Sequence, residues 1–224
     1  MKLNVVFLGK CNYEKALEIQ YSILEKRQKQ EIGDTLILVE HPPVITIGRG
    51  GDAANIVASK EYLETMGVDV IHTNRGGDVT YHGPGQIVGY PIVSIKDLKM
   101  GIRDFVYNLE EIFIHLLKDK YNIEAGRYLE YTGVWIGNQK ITAIGLAVKR
   151  GITMHGFAFN VNTNLNHFQF IVPCGITDKE VTSVEKLIDR EADFHELNKS
   201  VLEYYCKVFK YEGYKELDIS CCEN

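Results

Sequence analysis

The chain has 224 residues, 45% hydrophobic and 25% charged, with a formal net charge of -5 at pH 7. That length and balance suit one large domain over 1–224, or one domain with a small subdomain, with a sizeable core. The negative charge argues against nucleic-acid binding through the phosphate backbone, which needs a basic face. No stretch approaches the roughly 18 apolar residues of a membrane span, and the first apolar run meets Lys10, Asn12, Glu14 and Lys15 too soon for a signal peptide. The expectation is a cytoplasmic protein with no membrane partner.

In chain order, 3–8 reads as a strand and 13–30 as a helix with one mostly apolar face (Ala16, Ile19, Gln20, Ile23). Residues 34–40 form an apolar run stopped by His41-Pro42-Pro43, and 44–47 form another strand leading into Gly48-Arg49-Gly50-Gly51. A short helix at 59–66 precedes a strand at 68–72. Then comes Arg75-Gly76-Gly77-Asp78-Val79-Thr80-Tyr81-His82-Gly83-Pro84-Gly85-Gln86. This run is too rich in glycine for a helix and too polar for a core strand, so it reads as backbone that approaches something closely. The echo between 48–52 and 75–78 is too short to indicate a duplication.

Residues 87–95 read as a buried strand whose Pro91 suggests an edge or a bulge. An amphipathic helix at 102–120 follows. Strands at 133–137 and 141–148 are joined by the hairpin signal Asn138-Gln139-Lys140, and 151–162 is a further strand. After a loop at 162–168 and an apolar run comes Pro173-Cys174-Gly175, and 183–209 is mostly helical with a break at 190–194. Strands dominate the middle without regular βαβ alternation, which favours α/β of the mixed α+β kind over a doubly wound parallel sheet.

The five cysteines are odd in number and scattered, without a Cys-x-x-Cys pair. Reduced thiols fit better than a disulfide scaffold or a zinc site. Cys174, between proline and glycine at a strand end, reads as a rim thiol and candidate nucleophile; the alternative is a small packed hydrophobe. A thiol needs help to ionise near neutral pH, and the chain offers Lys140, His82 and His155. Lys140 opens an apolar strand: it is either a solvated hairpin lysine or an ammonium that lowers a cysteine's pKa. His82 suggests a cleft residue and His155 a second one on a neighbouring strand, while His41 before two prolines reads as structural. No spacing supports a metal site, and the glycine run lacks phosphate-loop spacing.

Taken together, these segments resemble the lipoyl(octanoyl) transferase family. The pieces that carry the resemblance are the run from Arg75 to Gln86, Gly133-Val134-Trp135-Ile136, Lys140-Ile141-Thr142-Ala143-Ile144-Gly145, His155-Gly156-Phe157-Ala158-Phe159-Asn160-Val161-Asn162, and Pro173-Cys174-Gly175-Ile176. Phe159 departs from the apolar residue, such as leucine, that is common there. The resemblance implies the fold of biotin and lipoate protein ligases: a large mixed sheet flanked by helices plus a smaller sheet. It implies an acyltransferase that moves an octanoyl group from octanoyl-acyl carrier protein, through a thioester on Cys174, to the lysine amine of lipoyl domains. Those domains belong to 2-oxoacid dehydrogenase complexes and the glycine cleavage H protein.

Lys140 matches the lysine that lowers the thiol's pKa. Arg75, Gly76, Gly77, Asp78, Val79, Thr80, Tyr81 and His82 match acyl-pocket segments, as do Ala143, Ile144 and Gly145, and Gly156, Phe157 and Ala158. No cofactor is expected, neither ATP nor metal, and the chain is expected to be a monomer. The small residues Gly76, Gly77, Ala143 and Gly145 suit a narrow tunnel for a straight chain. A surface that docks an acidic carrier should be basic, with Arg49, Arg75, Lys149 and Arg150 as candidates. The competing readings are an ATP-dependent ligase on the same fold, a binding module without catalysis, and an amidotransferase between protein lysines.

Overall fold

The computed structural model describes residues 1–172 and 180–218. Strand β1 (Leu3–Lys10) is followed by helix α1 (Tyr13–Gln28), then β2 (Thr35–Glu40) and β3 (Val44–Ile47). Helix α2 (Lys60–Thr65) leads to β4 (Asp69–His72), β5 (Val79–His82) and β6 (Gln86–Ile92). After α3 (Ile102–Tyr121) come β7 (Val134–Ile136), β8 (Gln139–Lys149) and β9 (Ile152–Asn160). Beyond residue 179 lie β10 (Glu180–Val181), α4 (Val184–Ile188), α5 (Phe194–Phe209) and β11 (Tyr214–Glu216).

Among the described residues these strands make two sheets. The larger runs β10-β8-β9-β6-β2-β1-β11 with β7 beside β8, and the smaller runs β4-β3-β5. The large sheet is mixed: β1 pairs in parallel with β2 and β11, and β8 with β10, while β2–β6, β6–β9, β8–β9 and β7–β8 are antiparallel. The expected mixed architecture is what forms.

Helix α3 buries Phe105, Leu109, Ile112, Phe113, Leu116 and Leu117, the spacing of a single helical face. Its start is fixed by the Asp104 carboxylate accepting the Gly101 N–H, and its end by Asn122 in the left-handed region. With α5 it covers one face of the large sheet, on Phe157, Phe159 and Ile141. Helix α1 lays Ile19, Ile23 and Ala16 on the other face, against Val88, Met154 and Ala158. Covered on both faces, β6 and β9 are buried throughout, which accounts for their near-continuous apolar runs. The small sheet has a separate core of Ile45, Ile47, Val79, Tyr81, Phe170 and Ile171.

Two local expectations need correction. Pro91 is on a central strand, not at an edge. The ladder from β6 to β9 ends at Gly89–Phe157, and the Pro91 carbonyl instead accepts from the Thr153 hydroxyl. The side on which Pro91 lacks a donor is therefore one where the regular ladder has stopped. Lys140 is not in the hairpin turn but inside β8, paired with Trp135 on one side and Val181 on the other. The turn is made by Gly137, in the left-handed region, and Asn138.

The two glycine runs pair in space. The Gly48 N–H donates to the Asp78 carbonyl, the Gly50 N–H to Gly77 and the Arg49 N–H to Arg75. A Cβ at Gly48 would lie 2.3 Å from the Gly77 carbonyl oxygen, so only glycine permits this approach. Gly48→Ala is expected to cost about 1–3 kcal/mol through overpacking. Gly126→Ala, where nothing lies within 4 Å, is expected to be close to neutral. Urea midpoints at equal m-value check the pair, and equal midpoints would refute the packing argument.

Candidate active site

The glycine run lies along β8. The Gly76 N–H donates to the Leu146 carbonyl, and a Cβ on Gly145 would sit 2.7 Å from the Gly76 oxygen. A Cβ on Gly156 would likewise lie 2.1 Å from the Gly89 oxygen. Gly76, Gly145 and Gly156 thus each stand where backbone meets backbone. Gly77, at φ 86, is exposed.

The other pocket candidates divide between faces. Ile144 and Phe157 are partners across β8 and β9 and belong to the core beneath α3, where Phe157 meets Phe113 edge to face with centroids 4.9 Å apart. Ala143 and Ala158 are partners on the opposite face, the one against α1. Val79 and Tyr81 fill the small sheet's core, and the Tyr81 hydroxyl meets His167 Nδ1 at 2.7 Å. Thr80 is half-buried and pairs with Thr46.

Arg75 is buried. Its Nε donates to Thr46 Oγ1 at 3.0 Å, Nη2 to the Thr46 carbonyl at 2.6 Å and Nη1 to the Gly76 carbonyl at 3.0 Å. The Asp78 carboxylate accepts from the Asp52 N–H and from Asn55 Nδ2 at 2.7 Å. Asn55 in turn accepts the Val172 N–H through its carbonyl at 2.8 Å.

Cys174 lies outside the described residues, as do Cys221 and Cys222. The described residues on either side of 173–179 are fastened to the two regions the sequence singles out. Val172 is tied through Asn55 to Asp78 of the glycine run, and Glu180 and Val181 pair in parallel with Gln139 and Lys140. The Thr182 N–H then donates to the Lys140 carbonyl at 3.0 Å.

The histidines form a polar cluster whose protonation follows from their partners. Gln86 Nε2 donates to the Tyr81 carbonyl and to Asn160 Oδ1, so its oxygen faces His82 Nδ1 at 2.9 Å, and that nitrogen carries the proton. Asn160 Nδ2 continues the chain to the Thr182 carbonyl at 3.0 Å. His41 Nδ1 donates to the Cys11 carbonyl at 2.6 Å, leaving Nε2 to accept the Tyr90 hydroxyl at 2.7 Å. Asn74 Nδ2 donates to the Tyr21 hydroxyl, so its oxygen accepts His155 Nε2–H at 2.6 Å. His155 occupies φ 56 inside β9, an unusual conformation for a non-glycine residue. His41 thus joins His82 and Tyr13 in one aromatic group, with His41 and His82 centroids 5.9 Å apart.

Burial disfavours the imidazolium in all three: His82 falls to about 3, His41 to about 4 and His155 to about 4. They are neutral hydrogen-bonding groups at neutral pH, not charges. Gln86 and Asn160, whose hydrogen bonds link His82 to Thr182, are register partners at the ends of two apolar strands. A polar residue facing another across an otherwise apolar pair was the available signal.

The basic docking candidates separate. Lys149 and Arg150 are exposed, but Lys149 stands nine residues along β8 from Lys140, about 30 Å at the usual strand rise. That places the pair at the far end of the strand rather than near the lysine. Arg75 is buried, and Arg49 is exposed beside the paired glycine runs.

The arrangement has known counterparts. The fold is that of a lipoate-protein ligase A solved with ATP bound: TM-score 0.80, 17% identity, covering 99% of this chain and 91% of that one. It is also that of a biotin protein ligase from Aquifex aeolicus solved with biotin and ATP (TM-score 0.57, 12% identity, 94% and 71%). These likenesses define the class of fold. Residues 12–206 match the lipoyl protein ligase A/B catalytic domain, and an octanoyltransferase of Alkaliphilus metalliredigens is 60% identical over 95% of this chain and 97% of its own. The chain belongs to the octanoyltransferases of the lipoyl protein ligase A/B catalytic-domain family, which are acyltransferases. Among the described residues no helix is long and apolar enough to cross a membrane.

The depressed histidines set a pH dependence. In the unfolded chain each titrates near 6.5, so between pH 6.5 and 4 the unfolded state binds more protons. Stability is full above pH 6.5 and falls as the pH drops towards 4. The ring ¹⁵N shifts should stay neutral down to pH 5, with the proton on Nδ1 of His41 and His82 and on Nε2 of His155. An imidazolium pattern at His82 at pH 6 would overturn the assignment.

Proposed function

We propose that this chain is a single-domain octanoyltransferase that takes its acyl group from octanoyl-acyl carrier protein on to Cys174. It then passes the group to the lysine amine of lipoyl domains in 2-oxoacid dehydrogenase complexes and the glycine cleavage H protein. The observation that carries this reading is the pairing of the Lys140 strand with Glu180 and Val181, which directly follow the Cys174 segment. The names of relatives at 60% and 57% identity support the octanoyl group.

The chemistry balances without ATP or metal. The Cys174 thiol gives its proton to Lys140, and the resulting thiolate attacks the octanoyl carbonyl carbon. The carbonyl's bond to the carrier's sulfur breaks, and that sulfur leaves with the proton held by Lys140. One thioester has replaced another, a nearly balanced exchange. The acceptor amine then attacks the acyl-enzyme. A C–N bond forms, the bond to Cys174 breaks, and the amine's proton returns to the now neutral Lys140. Amide formation from a thioester is downhill and drives the sequence. Backbone N–H groups of the glycine-rich segments would stabilise the tetrahedral oxyanion. The protein works as a monomer in the cytoplasm.

Intact-protein mass after mixing with octanoyl-acyl carrier protein, without ATP, tests this. Wild type should gain one octanoyl group, Cys174→Ala none, and Lys140→Ala should be at least 100-fold slower, the scale of a lost proton-transfer group. No adduct on folded wild type, with ATP-dependent use of free octanoate instead, would establish a ligase; no activity of either kind would point to a binding module. An octanoylated lipoyl protein serving as the better donor would establish the amidotransferase.

A further inference from the structure

Lys140 Nζ stands over the ring of Trp135, 4.8 Å from its centroid. The two residues are register partners of β7 and β8, so the ladder itself, rather than a flexible side chain, brings them together. The register slips between Val134 and Trp135, which re-aims Lys140 at this point. Lys149 over Tyr21 and Lys207 over Tyr204, at 5.6 and 5.5 Å, have no such pairing.

The ring is only 3% exposed and is braced on several sides. Its Nε1–H donates to the Tyr131 carbonyl at 3.1 Å, and Tyr128 meets it edge-on at 5.0 Å. Its backbone exchanges two hydrogen bonds with Gly126, at 2.8 and 2.9 Å. Behind it, the buried Glu110 carboxylate accepts the Gly133 N–H and Arg127 Nε, both at 2.9 Å. Gly133, at φ 129, lets β7 come so close that a Cβ there would lie 2.4 Å from the Thr142 oxygen and 3.5 Å from Lys140 Cε.

We propose that Trp135 is a positioning residue whose indole face holds Lys140 as an ammonium and thereby sets the pH range of each half of the reaction. A cation over a desolvated indole is favoured over the neutral amine, because the ring's negative face attracts only the charge. The proposal rests on the reading of Lys140 and Cys174 above. In the first half-reaction the ammonium stabilises the thiolate, so the ring helps. In the second half-reaction Lys140 must be neutral to take the amine's proton, so the ring opposes. The two halves therefore respond to the ring in opposite directions, a signature that loss of fold or a general loosening does not produce.

The sequence contains one tryptophan, so residue replacement in a tryptophan auxotroph changes only this ring. Full-length protein carrying 5-fluoro- or 4,5,6,7-tetrafluorotryptophan keeps the ring's outline and its N–H while its face loses negative potential stepwise. Two pH profiles are read: alkylation of Cys174 by iodoacetamide, followed by peptide mass, and aminolysis of the preformed octanoyl-enzyme by one lipoyl domain. With tetrafluorotryptophan the acid limb of alkylation is expected to rise by about half to one pH unit, and the acid limb of aminolysis to fall by a similar amount. The monofluoro protein should lie between. Limbs that stay in place, or move in the same direction, overturn the role of Trp135. Failure of unsubstituted protein to form the Cys174 thioester at all would instead overturn the underlying reading.

Discussion

Strand β8 is the member on which the site depends. It is hydrogen-bonded to β9 along most of its length, and at its first residues it has β7 on one flank and β10 on the other. Those two flanking strands are short, three residues and two. Beside their own pairing, the Glu110 carboxylate holds Gly133 just before β7, and Asn160 holds the Thr182 carbonyl just after β10. Further along, the same strand receives the glycine run at Leu146. One strand thus fixes the lysine, its aromatic neighbour and the loop that crosses above. A shift of its register by a single residue would turn Lys140 to the other face.

A second constraint is electrical. The three histidines around the glycine run are neutral because they are buried, and each has its proton placed by amide, hydroxyl or carbonyl partners. Neutral imidazoles contribute directed dipoles without adding positive charge near the buried Arg75. The side-chain amides of Gln86 and Asn160 extend the set to Thr182, whose N–H binds the Lys140 carbonyl. The glycine run and the lysine strand are thereby joined by a chain of fully oriented hydrogen bonds as well as by backbone contact.

Much of the fold was legible because its signals are local. The helical face of α3, the buried strands β2 and β6, and the break between α4 and α5 are all visible as periodicity and punctuation. What was not legible depends on partners distant in sequence. Pro91 reads as a sign of an edge or a bulge, and only the first is excluded, because sequence does not show that β9 leaves its pairing with β6 near His155. That the two glycine runs pack on each other is invisible in sequence, where their likeness is too short to indicate a duplication. Lys149 and Arg150 share a candidate docking surface with Arg49 and Arg75 in the sequence reading, but an extended strand carries them away from Lys140. Ile144 and Phe157 were grouped with their neighbours, but alternation along a strand sends adjacent residues to opposite faces.

The meeting of Gly76 with Gly145 has a consequence for how the site could change over generations. Where a cavity wall is made by side chains, a shorter residue enlarges it and a longer one shrinks it. Here two main chains meet directly, with no side chain left to shorten. Substitution can only add bulk, and added bulk must push two strands apart. Accommodation at this contact therefore has to come from movement of whole segments rather than from shorter side chains.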